Sequence, residues 1–232
     1  MKAIIMAGGL GTRLRPLTNE LPKPMVPIID KPIMLYIVDL LRSYGFTDIG
    51  VTLNYKPDSI ISYFRDGSQF GVRLTYFIES SPLGTAGSVK NAADFLSEDF
   101  LVMSGDSFTN IDLDELRAFH FKKNALFTLA CKYYENTSGF GVLQKERGGK
   151  ITGFVEKPEG TAAGLVNTGI YMINKTVLRL IPDGYYDFGK NLLPRLVGNG
   201  LYARETDGYW SDIGSLPSYY SANYFVATNM AR

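Results

Sequence analysis

The sequence predicts an α/β fold in which a mostly parallel central sheet is flanked by helices and joined by a smaller β-rich portion. Over the first hundred residues, short apolar runs halted by glycine or proline alternate with segments whose apolar residues recur at helical spacing, the pattern of βαβ units and hence of parallel sheet. From residue 126 onward the pattern changes to successive strand-like runs separated by turn signals. The chain has 232 residues, a length that α/β folds commonly fill as one domain with one core, so one domain over residues 1–232 is expected.

Taken in order, residues 2–7 form an apolar run closed by Gly8 and Gly9, which reads as a strand buried on both faces. Residues 32–44 carry Ile33, Ile37, Leu40 and Leu41 at helical spacing and stop at Gly45; residues 49–53 then read as a strand. Helices at 58–64 and 85–96 and strands at 72–78 and 100–103 continue the alternation. Around Leu116 to Lys123 a helix with mixed faces is expected. Strands follow at 126–134, 141–145, 151–156 and 166–173, then a helix at 188–197 with Asp187 as its N-cap, a strand at 201–204 and a last helix from Leu216. Residues 158–164 look like a surface loop.

Composition narrows the function. Lys plus Arg number 24 against 23 for Asp plus Glu, with no basic run to track a phosphate backbone, so nucleic acid is not expected as a partner. Apolar stretches are about five residues long, far below the roughly 18 of a membrane span, and the opening run is too short for a signal peptide, so a cytoplasmic protein without a membrane partner is expected. One histidine, His120, and one cysteine, Cys131, cannot build the usual zinc sites. Cys131 reads as a small core residue in a reducing compartment. Self-association into a homo-oligomer stays open.

The strongest motif is Ala7-Gly-Gly-Leu-Gly-Thr-Arg13, directly after the first strand. Gly8, Gly9 and Gly11 let backbone N–H groups approach an anion, and Thr12 and Arg13 add a hydroxyl and a charged fork, so the loop suits phosphates. It fails both the dinucleotide pattern, because Leu14 stands where the third glycine would, and the P-loop pattern. Gly184-Tyr-Tyr-Asp-Phe-Gly-Lys-Asn191 nearly spells a P-loop, but Asn191 replaces the required hydroxyl and no strand precedes it. Lysine precedes proline at Lys23, Lys31, Lys56 and Lys157, where proline is expected to hold the lysine extended. Asp106 lies just past the end of a buried strand, where open α/β sheets bind ligands, and Asp212 follows the only tryptophan, Trp210. Magnesium on nucleotide phosphates needs only one or two carboxylates, so such a pair suffices.

Together Gly8-Gly-Leu-Gly-Thr-Arg-Leu-Arg-Pro-Leu-Thr18, Pro22-Lys-Pro-Met-Val-Pro27, Leu83-Gly-Thr-Ala-Gly87, Gly105-Asp106, Phe154-Val-Glu-Lys-Pro158, Asn167-Thr-Gly-Ile-Tyr171 and Trp210-Ser-Asp-Ile-Gly214 resemble the ordered signature of sugar-phosphate nucleotidylyltransferases. Within them the chain is most similar to the mannose-1-phosphate guanylyltransferase group, over residues 1 to about 220. Many relatives continue into a left-handed β-helix or another domain; here either no such C-terminal domain is expected or the chain is an excised catalytic domain.

The resemblance implies a Rossmann-like nucleotidyltransferase fold with a β-rich sugar-binding portion. It implies a reaction in which an NTP and a sugar 1-phosphate give an NDP-sugar and pyrophosphate. Carried over residue by residue, it assigns Gly8, Gly9, Gly11 and Thr12 to the nucleotide phosphates, Arg13 to the leaving pyrophosphate and Lys23 to the α-phosphate. Gly84 and Thr85 fall among the substrate-binding residues; Lys157 holds the attacking sugar phosphate; Glu156, Asn167 and the Gly141 backbone read sugar hydroxyls. Asp106 and Asp212 hold Mg2+ as the cofactor.

Glu79, five residues before Gly84, stands where relatives using uridine or thymidine nucleotides tend to carry glutamine. A carboxylate only accepts, which matches the paired N1–H and N2 donors of guanine, so GTP with mannose 1-phosphate is favoured over UTP or dTTP with glucose 1-phosphate or another sugar phosphate. Two rivals remain. A nucleotide-sugar-dependent glycosyltransferase normally shows Asp-x-Asp after the strand, whereas Ser107 and Phe108 follow Asp106. A noncatalytic nucleotide sensor should lack Arg13, Lys23 or a metal carboxylate, and all are present.

Overall fold

The computed structural model describes residues 1–160 and 162–229, so Thr161 of the expected loop lies outside the described residues. The elements run β1 (Ala3–Met6), β2 (Pro27–Ile28), β3 (Lys31–Pro32), α1 (Ile33–Ser43), β4 (Asp48–Leu53), α2 (Pro57–Phe64), β5 (Arg73–Ile78) and α3 (Gly84–Asn91). Next come β6 (Phe100–Ser104), β7 (Ser107–Thr109), α4 (Leu113–Lys123), β8 (Phe127–Tyr134), β9 (Gly141–Lys145), β10 (Ile151–Glu156) and β11 (Gly164–Ile173). Last are α5 (Leu193–Leu196), β12 (Leu201–Glu205), β13 (Trp210–Asp212) and α6 (Leu216–Asn229). This is the mixed α/β fold, with parallel strands and flanking helices, that the sequence predicts. Among the described residues no helix is long and apolar enough to cross a membrane.

Backbone proximity divides the chain into two compact units. One gathers three stretches, residues 2–81, 103–110 and 209 onward. Its sheet has β1, β4 and β5 side by side and parallel, Ala3 opposite Ile49 and Asp48 opposite Arg73. Ile4, Ile5, Ile49, Val51 and Leu53 are fully buried, as expected of parallel strands covered on both faces, and each stabilises by about 1.5–3 kcal/mol relative to exposure. Helix α1 buries Ile33, Met34, Leu35, Ile37, Val38 and Leu41; of the four residues that the helical spacing marks, Ile33, Ile37 and Leu41 are buried and Leu40 is only partly so.

A two-stranded ribbon completes this unit. β13 pairs antiparallel with β7, with Trp210 opposite Thr109 and Asp212 opposite Ser107. Phe108 anchors it, edge-on to the rings of Tyr36 and Tyr209 at 5.2 and 5.8 Å, so truncating Phe108 to alanine should cost about 3–5 kcal/mol.

The other unit holds residues 82–102 and 111–208 and is β-rich. Here β8 lies between β11, antiparallel, and β12, parallel, while β9 joins β11 to β10 in antiparallel pairing. The register of β11 against β8 slips between Asn167 and Tyr171, beside Gly169 at φ 77°, a bulge of the kind that re-aims side chains near functional sites. Helix α4 is capped by Asp112, whose carboxylate accepts from the Glu115 N–H. Cys131 is buried in β8 with its thiol pushed up to about 12 by burial, as a core residue should be.

Two backbone expectations need correction. Of the four lysines before proline, only Lys31 is in a strand; Lys23 opens the 3₁₀ turn Lys23–Met25, while Lys56 and Lys157 are left-handed at φ 46° and 48°. The proline rule yields where the chain must turn: Lys56 leads from β4 into α2, and the Lys157 N–H donates to the Phe140 carbonyl at the end of the β9–β10 ladder. The helix expected at 85–96 ends at Asn91 as α3 and continues only as the 3₁₀ turn Ala93–Phe95.

Candidate active site

The glycine loop leaves β1 and turns through Gly11, at φ 63°, into the 3₁₀ turn Thr12–Leu14. A Cβ at Gly11 would lie 3.0 Å from Lys23 Cβ and 3.1 Å from Thr18 Cγ2, so only glycine allows both the left-handed turn and this contact. The Thr18 hydroxyl donates to the Gly11 carbonyl over 2.8 Å and closes the loop. Around it lies a cavity of about 270 Å³ lined by Ala7, Gly9, Gly11, Arg13, Lys23 and Asp106 among others.

Lys23 reaches this cavity from its 3₁₀ turn with its side chain only 6% exposed. Its Nζ donates to Asp106 Oδ2 at 2.6 Å and to Asp212 Oδ1 at 2.9 Å. The ribbon brings the carboxylates together: Asp106 immediately precedes β7, Asp212 ends β13 opposite Ser107, and the Ile213 N–H donates to the Asp106 carbonyl over 3.2 Å. Gly105 also anchors Asp106, its N–H donating to the Met6 carbonyl of β1. The Ser104 hydroxyl donates to Asp106 Oδ1 at 2.6 Å. Arg13 is two-thirds exposed, with a guanidinium nitrogen 4.0 Å from Asp212 Oδ2.

Charge state follows from this packing. Burial works against the Lys23 ammonium, yet the two carboxylates outweigh it and hold its pKa above the ordinary value. Burial likewise opposes ionisation of Asp106, but the Lys23 ammonium and Ser104 hydroxyl keep its carboxyl below the usual range. Asp212 is pushed up by burial and by the Asp106 charge, against the pull of Lys23 and Arg13. An ammonium and two carboxyl groups thus meet in one place at the edge of the glycine-loop cavity, the kind of cluster in which burial and neighbouring charge pull the groups' proton affinities apart.

The carboxylate pair also suits a magnesium ion. Two hard oxygen donors already converge on a cation, the Lys23 ammonium standing in that place, and Mg2+ shared with phosphates needs no more from the protein. Among the described residues no cluster of three or more metal-ligating side chains forms an all-protein cage.

Glu79 follows β5 and is 7% exposed, so it does not face water. Its N–H donates to the Leu53 carbonyl and its own carbonyl accepts from Asn54 Nδ2. Asn54 in turn lies under Gly8, where a Cβ would sit 3.3 Å from Asn54 Cβ. Sequence reasoning passes over Asn54; its only signal is an amide directly after β4.

The β-rich unit gathers the other expected residues. Glu156 ends β10 opposite Gly141 of β9, and its carboxyl is pushed up first by burial, then by Asp187, against Lys157. Lys157 is half exposed, its Nζ 3.9 Å from Glu156 Oε1. On the β11 bulge, Asn167 Nδ2 donates to the Tyr171 hydroxyl at 2.9 Å and Asn167 Oδ1 accepts from the Gly169 N–H. Gly84 and Thr85 open α3, and the Thr85 hydroxyl donates to Asp187 Oδ2 at 2.9 Å. Asp187 is the N-cap expected of it, accepting from the Lys190 N–H. The near-P-loop motif is structural: Asn191 Oδ1 accepts from the Asp187 N–H.

Comparison with known proteins agrees with this chemistry. The nucleotidyl transferase family matches residues 2–229. A UTP–glucose-1-phosphate uridylyltransferase of Synechocystis sp. is 40% identical, aligned over 96% of this chain and 62% of its own length. A mannose-1-phosphate guanyltransferase of Yarrowia lipolytica is 36% identical over all of this chain and 66% of its own. The chain thus spans less than two thirds of these curated relatives. HddC from Yersinia pseudotuberculosis, solved in complex with GMP-PN, superposes with a TM-score of 0.82 at 29% identity, covering 96% of this chain and 98% of that one.

Proposed function

This chain belongs to the nucleotidyl transferase family, and from that premise we propose that it transfers a nucleoside monophosphate from an NTP to a sugar 1-phosphate, releasing pyrophosphate. The observation that carries the reading is the meeting of Lys23, Asp106 and Asp212 beside the glycine loop. An oxygen of the sugar phosphate attacks the α-phosphorus, a new P–O bond forms, and the bond to the β-phosphate breaks. Catalysis of such a step is mostly positioning and neutralisation of charge, for which cations and N–H donors suffice.

Backbone N–H groups of Gly8, Gly9 and Gly11 and the Thr12 hydroxyl cradle the nucleotide phosphates. Lys23 meets the charge that builds on the α-phosphate, and the exposed fork of Arg13 holds the departing pyrophosphate. Asp106 and Asp212 would hold Mg2+, which supplies further neutralisation of the phosphates when bound. In the β-rich unit Lys157 binds the attacking phosphate, and Glu156, Asn167 and the Gly141 backbone take the sugar hydroxyls. Gly84 and Thr85 serve the substrate side from the start of α3.

GTP with mannose 1-phosphate is the favoured pair. Burial of Glu79 supports a carboxylate reading the two donors of guanine, and HddC binds GMP-PN. The same reaction with UTP and glucose 1-phosphate is the second reading, favoured by the 40% identity to a uridylyltransferase. Pyrophosphate release across a panel of GTP, UTP, dTTP and ATP with mannose and glucose 1-phosphates tests both. Rapid release with GTP and mannose 1-phosphate is expected; release with no pair would overturn the reaction.

A further inference from the structure

Residues 188–192 of the β-rich unit form a widened helical turn, with the Asn191 and Leu192 N–H groups both directed at the Asp187 carbonyl over 3.0 and 3.1 Å. Such turns are rare and concentrate at functional sites. This one is tied down at its start. Asp187 Oδ1 accepts from the Lys190 N–H, Asp187 Oδ2 from the Thr85 hydroxyl, and the Thr85 hydroxyl in turn accepts from the Phe188 N–H over 2.8 Å.

The widening has a local result. Gly189 comes so close to Glu156 that a Cβ there would overlap Oε2 and lie 2.6 Å from Cδ. Across the β9–β10 pair, a Cβ at Gly141 would lie 2.7 Å from the same Oε2. The Glu156 carboxylate therefore stands in a slot between two positions that carry no side chain, and neither wall can be thickened without moving it.

We propose that the turn Phe188–Leu192 positions the Glu156 carboxylate for hexose hydroxyl recognition, with Asp187 and Gly189 as positioning residues and Thr85 as their anchor. The proposal rests on the sugar-phosphate reading above. It makes Thr85 a link between the α3 motif and the sugar pocket. Recognition of hydroxyl stereochemistry needs a carboxylate held to a fraction of an ångström, which a glycine-walled slot provides and a mobile glutamate does not.

Kinetics with mannose 1-phosphate and glucose 1-phosphate test it. Gly189→Ala should raise KM for the sugar phosphate by about 10- to 100-fold while leaving the nucleotide KM and Tm unchanged. Thr85→Val and Asp187→Ala should act in the same direction, and Asp187→Asn, which can still accept from Lys190, should restore most of the loss. In a Glu156→Gln background, Gly189→Ala should add nothing. An unchanged sugar KM, an equal rise in both KM values, or full additivity with Glu156→Gln would overturn the positioning role. Calorimetric binding of the two sugar phosphates separates this from the reaction itself. Weaker binding to Gly189→Ala in a chain that releases no pyrophosphate overturns the reaction and keeps the slot. Normal turnover with unaltered binding does the opposite, and no binding to the unaltered chain overturns both.

Discussion

Lys23 Nζ lies 2.6 Å from Asp106 Oδ2, a contact that joins residues 83 apart in the chain. The lysine is nearly enclosed, and its charge is balanced by Asp106 on one side and Asp212 on the other. The balance gives the lysine and the aspartates separable tests.

Lys23→Met should reduce kcat by roughly 10²-fold or more, because the charge it removes faces the reacting phosphate in the transition state. Lys157→Met should instead raise KM for the sugar 1-phosphate more than for the nucleotide. Steady-state kinetics on both variants check the assignment, and the reverse pattern would exchange their roles.

Asp106→Asn and Asp212→Asn each keep a hydrogen-bond acceptor for Lys23 while losing a negative charge, so the fold should persist. Turnover at saturating nucleotide should fall by at least about 10²-fold, with a raised Mg2+ requirement. Circular dichroism and a magnesium titration of the rate measure the two effects. Full magnesium-dependent activity in either variant would defeat the metal assignment.

Glu79→Gln should shift the ratio of kcat/KM for GTP to that for UTP toward UTP, by as much as about 10⁴-fold if the buried carboxylate pairs with guanine. The experiment needs only the four specificity constants. An original preference for UTP, or an unmoved ratio, would remove Glu79 from base selection.

His120 offers a prediction on stability. It is 1% exposed, with Nδ1 2.8 Å from the Thr128 hydroxyl, and burial depresses its pKa even though Asp99 lies 3.4 Å from Nε2 and opposes the shift. The unfolded chain then takes up a proton near the ordinary value of about 6.5, while the folded chain resists it. Stability is fully present above that pH and is lost as pH falls from there toward the lower folded value. Urea midpoints measured from pH 7.5 down to 5.5 should decline in the native protein, and more weakly in His120→Gln. Equal slopes would absolve His120.

Much of the fold is legible in the residues alone. The strands at 141–145 and 151–156 have the predicted limits, because their alternation and the Gly148-Gly149 turn are local signals. Asp187 is readable as a cap for the same reason. The β7–β13 ribbon is not, since each strand has three residues and the pairing spans about a hundred positions; its ladder and the packed ring of Phe108 hold it, and neither is a local signal. Site residues announced themselves by type, as with Asp106 and Asp212. Lys23 is picked out by its place before proline and by the resemblance, but its meeting with both carboxylates is not legible, because the ribbon brings them together. Gly189 showed only as part of the near-P-loop segment, since the Glu156 side chain it packs against lies 33 positions earlier.

The unit that bears the glycine loop is assembled from three separate stretches of chain, with the rest of the sequence looped out between them. A nascent chain emerging from the ribosome exposes the loop and Lys23 first, whereas Asp212 follows 189 residues after Lys23. Contacts of such long separation carry a large loop-closure entropy, so closure of the carboxylate pair should be a late and slow event in folding. Until then the buried lysine has no second counter-ion. Lys23 would have Asp106 alone to offset the burial of its ammonium, a reason for this unit to stay open until Asp212 has been made.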